Sequence, residues 1–245
     1  MPKSFAARMF VALIAISGLL VFGYALSSTR AVPTGRFISF LLVACLAARL
    51  KVKLPGLPGT MSVNLPFVLL AAAEMSLAEA VVVGCVSTLV QCLPRGKQKF
   101  NPIQAAFSCS TIMLAITATK WIFASPEVAA TIPSVHLRLV VAAMGYSLVN
   151  TVPIAIVIAL TEAVSALPTW IEMLQLSFPY LVASAGVAGL ALAITPEVVW
   201  QVPLAMLPVM AGIFLSYRRY FAATGAASEM SRELQNSQMA AEAHA

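Results

Sequence analysis

Asn64 stands two residues before Pro66, and Asn150 three residues before Pro153, each inside apolar sequence. Proline removes a backbone donor and disturbs the helix around it, and carbonyls freed in an apolar medium need new partners. An amide beside such a disturbance can hold a small polar ligand, or it can serve as a structural hydrogen bond. Glu74 and Glu79 raise a second possibility. Ionisable groups are costly among apolar residues and mark functional sites by default. The two flank an expected turn and, five residues apart, need not share a helix face. They could form an acidic mouth, or they could be two solvated carboxylates in an outer loop. Asn64, Glu74, Glu79 and Asn150 are therefore the candidate ligand-binding residues; Gln91, Gln104 and Gln175 carry weaker versions of the same signal.

Catalysis has no comparable support. His136 and His244 fall at a helix start and near the last residue, and neither meets a nucleophile in a recognisable spacing. No HExxH, GxSxG or phosphate-loop motif occurs. The four cysteines, Cys45, Cys85, Cys92 and Cys109, lack the close spacing of zinc or redox motifs. Cys85 and Cys92, seven apart, would share a helix face, and the simplest expectation is that they are small buried apolar residues. The chain reads as a non-enzyme with no cofactor and no metal.

The elements that must position these residues are set by hydropathy. Hydrophobic residues make up 60% of the 245 and charged residues 10%, too little charge to keep a soluble surface dispersed. Runs such as 139–160 and 198–217 match the ~20 residues that cross a hydrocarbon core. The net charge of +6 is explained by basic loops on one side of a membrane rather than by nucleic acid. The lipid bilayer is the expected partner, and no nucleic acid is expected. Lys3 and Arg8 ahead of an 18-residue apolar run suggest a signal peptide, but the run is long enough to span and is expected as an uncleaved first helix, 9–26.

A second, short helix is expected at 37–50. The block Leu54-Pro55-Gly56-Leu57-Pro58-Gly59-Thr60 predicts consecutive tight turns. Basic clusters at Arg49, Lys51, Lys53 and at Arg95, Lys97, Lys99 bracket residues 63–93. If both clusters lie on one side, the segment must go out and return: an arm at 65–73, a turn at 74–76 and a second arm at 77–93. The first arm, about 15 Å long at 1.5 Å per residue, is short or re-entrant. Helix five is expected at 103–123 with Lys120 and Trp121 as interfacial anchors, followed by a loop marked by Pro126 and Pro133. Helix six is expected at 137–160, interrupted at 150–153. Residues 161–175 are expected along the surface, and helices seven and eight at 178–194 and 198–217. The rows Ala80, Gly84, Thr88 and Ala185, Gly189, Ala193 predict packing seams, which would also permit a homodimer. The fold class is thus all-α: a polytopic transmembrane bundle of seven or eight helices over 1–217, with a cytoplasmic helical tail at 218–245. Ala227, Met230, Leu234 and Ala241 give that tail a weak heptad seam. Lys3, Arg8, Arg218 and Arg219 favour cytoplasmic termini; Arg30 and Arg36 would sit outside and disagree.

The stretch 47–93, with LPGLPGTMSVN its most specific part, resembles the MASE-like membrane domain that precedes HD-GYP and GGDEF output domains in bacterial signalling proteins. The loop 95–99, Asn150-Thr151-Val152-Pro153, Ser177-Phe178-Pro179-Tyr180 and Tyr217-Arg218-Arg219-Tyr220 follow in the same order. The resemblance, which extends to about residue 221, implies a sensory input domain in the bacterial inner membrane that passes a change through its exit helix. Neither an HD-GYP nor a GGDEF sequence occurs among the 245 residues, so the expectation is either an output partner on a separate chain or a detached or truncated sensor. The arm Val63-Asn64-Leu65-Pro66-Phe67-Val68-Leu69-Leu70 is, more loosely, similar to vitamin-binding subunits of energy-coupling-factor transporters, which implies a small-molecule carrier as the alternative.

Overall fold

The apolar runs fold as helices because each must satisfy its own backbone where water is scarce. The computed structural model describes residues 5–27, 33–53, 60–94, 100–193, 201 and 204–220. The helices are α1 (Phe5–Leu26), α2 (Thr34–Ala48), α3 (Leu65–Glu74), α4 (Leu77–Cys92), α5 (Pro102–Ala124), α6 (Pro126–Thr131), α7 (Val135–Glu162) and α8 (Ala166–Ala193); a further helix, α9, covers 204–220. Four of them, α1, α5, α7 and α8, are long and apolar enough to cross a bilayer, while α2, α3 and α4 are shorter apolar helices. Large side chains such as Leu20, Tyr24, Leu148 and Leu190 face outward, a surface suited to lipid. The chain is a helical membrane protein.

The centre of the bundle is the short arm. Eight residues of α3, Leu65 to Ala72, are buried, and the helix packs against α8, α5, α4 and α2. A helix apolar on all sides needs such enclosure. Close contacts at glycine set the spacing around it. A Cβ on Gly84 would lie 2.3 Å from Ile116 Cδ1, and one on Gly18 would lie 2.6 Å from Ser110 Cβ. The expected seam on α4 therefore packs on α5, with Ala80, Gly84 and Thr88 all buried. On α8, Ala185 and Gly189 are likewise buried, and Gly189 packs beside His136 and Leu139. At the periphery, α1 touches the bundle along the strip Ala7, Gly18, Ala25.

Several expectations change. The all-α bundle carries one small addition: residues 51–53 and 60–62 pair as an antiparallel ladder, β1 (Lys51–Lys53) and β2 (Thr60–Ser62). The Pro-Gly steps between them lie outside the described residues, as do Arg30, the basic loop 95–99 and the tail 221–245. The turn 74–76 and both arms form as expected. Pro153 does not interrupt α7, which runs through it: in apolar surroundings the remaining backbone bonds have no water to exchange with. Residues 166–175 are not a surface segment but the first turns of α8. Their mean polarity hides a periodic buried face, Thr169, Met173, Tyr180 and Ser184. The indole of Trp170 donates to Thr151 Oγ1 at 3.1 Å, tying this start to α7. The break between the two helices is confined to 163–165, where Ala163 takes a left-handed conformation, φ 57°. Pro126 opens the short α6 instead of marking a loop.

Candidate functional site

The four candidate residues separate into three places. Asn64 and Glu74 sit at opposite ends of α3, about 15 Å apart at 1.5 Å per residue. Glu79 lies in the first turn of α4, near Glu74. Asn150 is half-buried on α7, and the hydrogen bonds around Asn64 involve other residues. They do not converge on a single cavity.

At the start of α3, Pro66 occupies a first-turn position that needs no backbone donor. The backbone oxygen of Asn64 accepts from the amides of Phe67 and Val68, at 3.1 and 3.2 Å. Its side chain turns away from the helix. Asn64 Oδ1 accepts from Ser62 Oγ at 2.7 Å, and Nδ2 donates to Ser87 Oγ at 3.2 Å. Ser87 in turn donates to the Gly84 carbonyl at 3.0 Å. Ser62 Oγ also lies 2.9 Å from the Gln91 side-chain oxygen. A hydroxyl has one proton to give, so turning the Gln91 amide over supplies an N–H for this second contact. From α8, the Tyr180 hydroxyl accepts the Leu65 N–H at 3.1 Å. The Tyr180 ring meets Tyr217 of α9 edge to face, centroids 6.2 Å apart. The result is a buried, uncharged cluster of amides and hydroxyls drawn from β2, α3, α4 and α8.

The far end of α3 is charged. Arg36 of α2 pairs with Glu74, and Lys120 of α5 donates to the carbonyls of Ala72 (3.2 Å) and Met75. These carbonyls lie at the close of α3, where helical carbonyls lack intrahelical donors and a cation is favoured by the helix dipole. Ser76 and Glu79 form a reciprocal capping box that starts α4: Glu79 N donates to Ser76 Oγ at 3.2 Å, and Ser76 N donates to Glu79 Oε2 at 3.0 Å. Glu79 is also within electrostatic reach of Lys120. The expected acidic mouth is therefore a clasp, in which Glu79 caps the turn and Glu74 ties it to Arg36 of α2. Nearby, Arg138 of α7 stacks over Phe123 at 5.5 Å and reaches its carbonyl at 3.5 Å, closing the same end.

Sequence reasoning missed Ser62, Ser87, Tyr180 and the capping role of Lys120. The Ser76-Leu77-Ala78-Glu79 spacing is a capping-box pattern and was readable. Lys120 was expected as an interfacial anchor. The partner of Tyr180 is 115 residues away, and no local pattern reports such a contact. Among the described residues, no three His, Cys, Asp or Glu side chains are grouped to hold a metal ion. The chain matches no protein-family model, and comparison with curated proteins and with solved structures finds no match.

Proposed function

We propose that this chain is a membrane-embedded input module of a bacterial signalling system, without catalytic activity of its own. One observation carries the reading. The polar cluster at the buried start of α3 is continuous with the exit helix: Leu65, the residue after Asn64, bonds Tyr180, and Tyr180 meets Tyr217, just ahead of Arg218 and Arg219. A rearrangement among hydroxyls and amides at Asn64 thus has a packed route to α9 and to the segment after it. Such a switch needs two arrangements that a stimulus favours unequally, and a cluster of rotatable hydroxyls and amides offers alternative partners at low cost.

In this proposal the membrane domain comprises residues 1–217, the tail 218–245 is cytoplasmic, and eight helical segments alternate in direction, α3 being the short one. Lys3, Arg8, Lys51, Lys53, Arg218 and Arg219 then share the cytoplasmic side of the inner membrane. Arg30, Arg36, Lys120 and Arg138 fall on the other side and depart from that rule; of these, Arg36 is neutralised by Glu74. The partner is an HD-GYP or GGDEF type output protein, with a homodimer as the assembly that would bring two exit helices together.

The test is a fusion of the chain at Ala245 to a diguanylate cyclase reporter. Asn64→Leu, Tyr180→Phe and Tyr217→Leu should each shift cyclase output while membrane levels stay unchanged. Unchanged output in all three would end the signalling reading.

A carrier is the second reading, and one observation favours it. Transporters often place substrate at the start of a broken or half-length helix, which is where the Asn64 cluster lies. Stoichiometric co-purification of a small molecule that Asn64→Leu abolishes would decide for it.

A further inference from the structure

Cys85 and Cys109 come together across the α4–α5 seam. The Cys85 sulfur lies 3.9 Å from the Cys109 carbonyl oxygen, and the Cys109 sulfur lies 3.8 Å from the Cys85 carbonyl oxygen. Each thiol reaches past its partner to the opposite backbone, which requires the helices to run very close. Gly84 makes that approach possible: the neighbouring Ile112 and Ile116 of α5 fill the space where a Cβ would stand. A disulfide requires Cα atoms about 4.4–6.8 Å apart and Cβ vectors that face. Each sulfur lies within 4 Å of the other residue's carbonyl oxygen, so the two side chains approach one another across the seam.

The placement within the bundle is as informative as the distance. Cys109 is buried, whereas Cys85 is half-buried and shares its face of α4 with Leu89, one turn on, which is 44% exposed. The pair therefore straddles the rim of the bundle, between core and lipid. Cys92, two turns along α4, is half-buried as well. Cys45, on α2, has no such partner thiol among these contacts.

We infer that Cys85 and Cys109 are a lipid-facing dithiol that a membrane-dissolved quinone oxidises to a disulfide. The two S–H bonds break and one S–S bond forms. Two electrons and two protons pass to the quinone oxygens, giving the hydroquinone, so atoms and charge balance without any further reactant. A quinone fits because it dissolves in the hydrocarbon that surrounds Leu89 and accepts protons along with electrons, so no charged sulfur product is left in lipid. The product pins α4 to α5 beside the Asn64 partner Ser87. The chemistry itself is independent of the signalling reading.

The test uses the full chain in lipid nanodiscs, reduced, freed of reductant and kept anaerobic. Decylubiquinone is added, remaining thiols are alkylated, and the protein is digested without reduction for mass spectrometry. The expected result is a linked Cys85–Cys109 peptide, hydroquinone formed one-for-one with the bond, and Cys45 fully alkylated. The Cys109→Ser chain should form no hydroquinone; because the wild-type chain carries the linkage measurement, the stability of that variant does not decide the outcome. Full alkylation of Cys85 and Cys109 after quinone, or a Cys92–Cys109 link in place of the expected one, would overturn the assignment. So would equally fast oxidation by oxidised glutathione, which is charged and stays in water, since the dithiol would then be open to solvent rather than to lipid.

Discussion

At its last turn α3 gives its carbonyls to a lysine and its carboxylate to an arginine, whereas at its first turn it meets only hydroxyls and amides. The two ends of one ten-residue helix are thus held by different kinds of bond. Ion pairs and charge-assisted bonds are strong but single-valued, because removing one partner strands a charge. Neutral hydroxyls and amides bond less strongly, yet each both donates and accepts and can exchange partners by rotation. The charged end is built to stay fixed and the neutral end to rearrange. That contrast supports locating any switch at Asn64 rather than at Glu74.

The comparison can be broken by substitution, with stability measured by reversible unfolding in mixed micelles followed by tryptophan fluorescence. Lys120→Met should be the most damaging, about 2–3 kcal/mol, because it removes a charged donor from two helix-end carbonyls. Glu74→Gln should cost about 1–2 kcal/mol by leaving Arg36 unpaired, and adding Arg36→Gln should recover part of the loss, the signature of coupling in a double-mutant cycle. Ser76→Ala should cost about 1 kcal/mol through the lost cap. Asn64→Leu should cost about 1 kcal/mol or less, since hydrogen bonds between membrane helices average near ~0.6 kcal/mol. Tyr180→Phe should cost the least, a few tenths up to about 1 kcal/mol, by orphaning one N–H. If Asn64→Leu proved more destabilising than Lys120→Met, the neutral cluster would be the rigid anchor and the functional contrast would reverse.

Much of this architecture is legible in the sequence. The return of the chain at 74–76 followed from basic clusters on both sides of an apolar stretch too short for two full spans. The seam Ala80, Gly84, Thr88 followed from small residues every four positions. The errors share a cause. Windowed polarity misassigned 166–175, because polar residues on one face of a helix lower the average without ending the helix. Pro153 was overweighted, because the penalty for proline is judged against water, and α7 has little water to turn to. The sequence presents Glu74 and Glu79 as a pair facing outward, although Glu79 has its cap, Ser76, three residues away.

Local sequence determined the lipid environment, the helical state and the hairpin between α3 and α4, because hydropathy, capping and the run length needed to span a bilayer all act within a turn or a single segment. Only the packed bundle decided that Lys120 closes α3, that Asn64 bonds Ser87, that Tyr180 takes the Leu65 amide and that Cys85 faces Cys109. Those pairings depend on how each helix is rotated about its own axis. That rotation is fixed by where Gly18 and Gly84 let neighbouring helices approach, a property of two surfaces meeting rather than of either sequence alone.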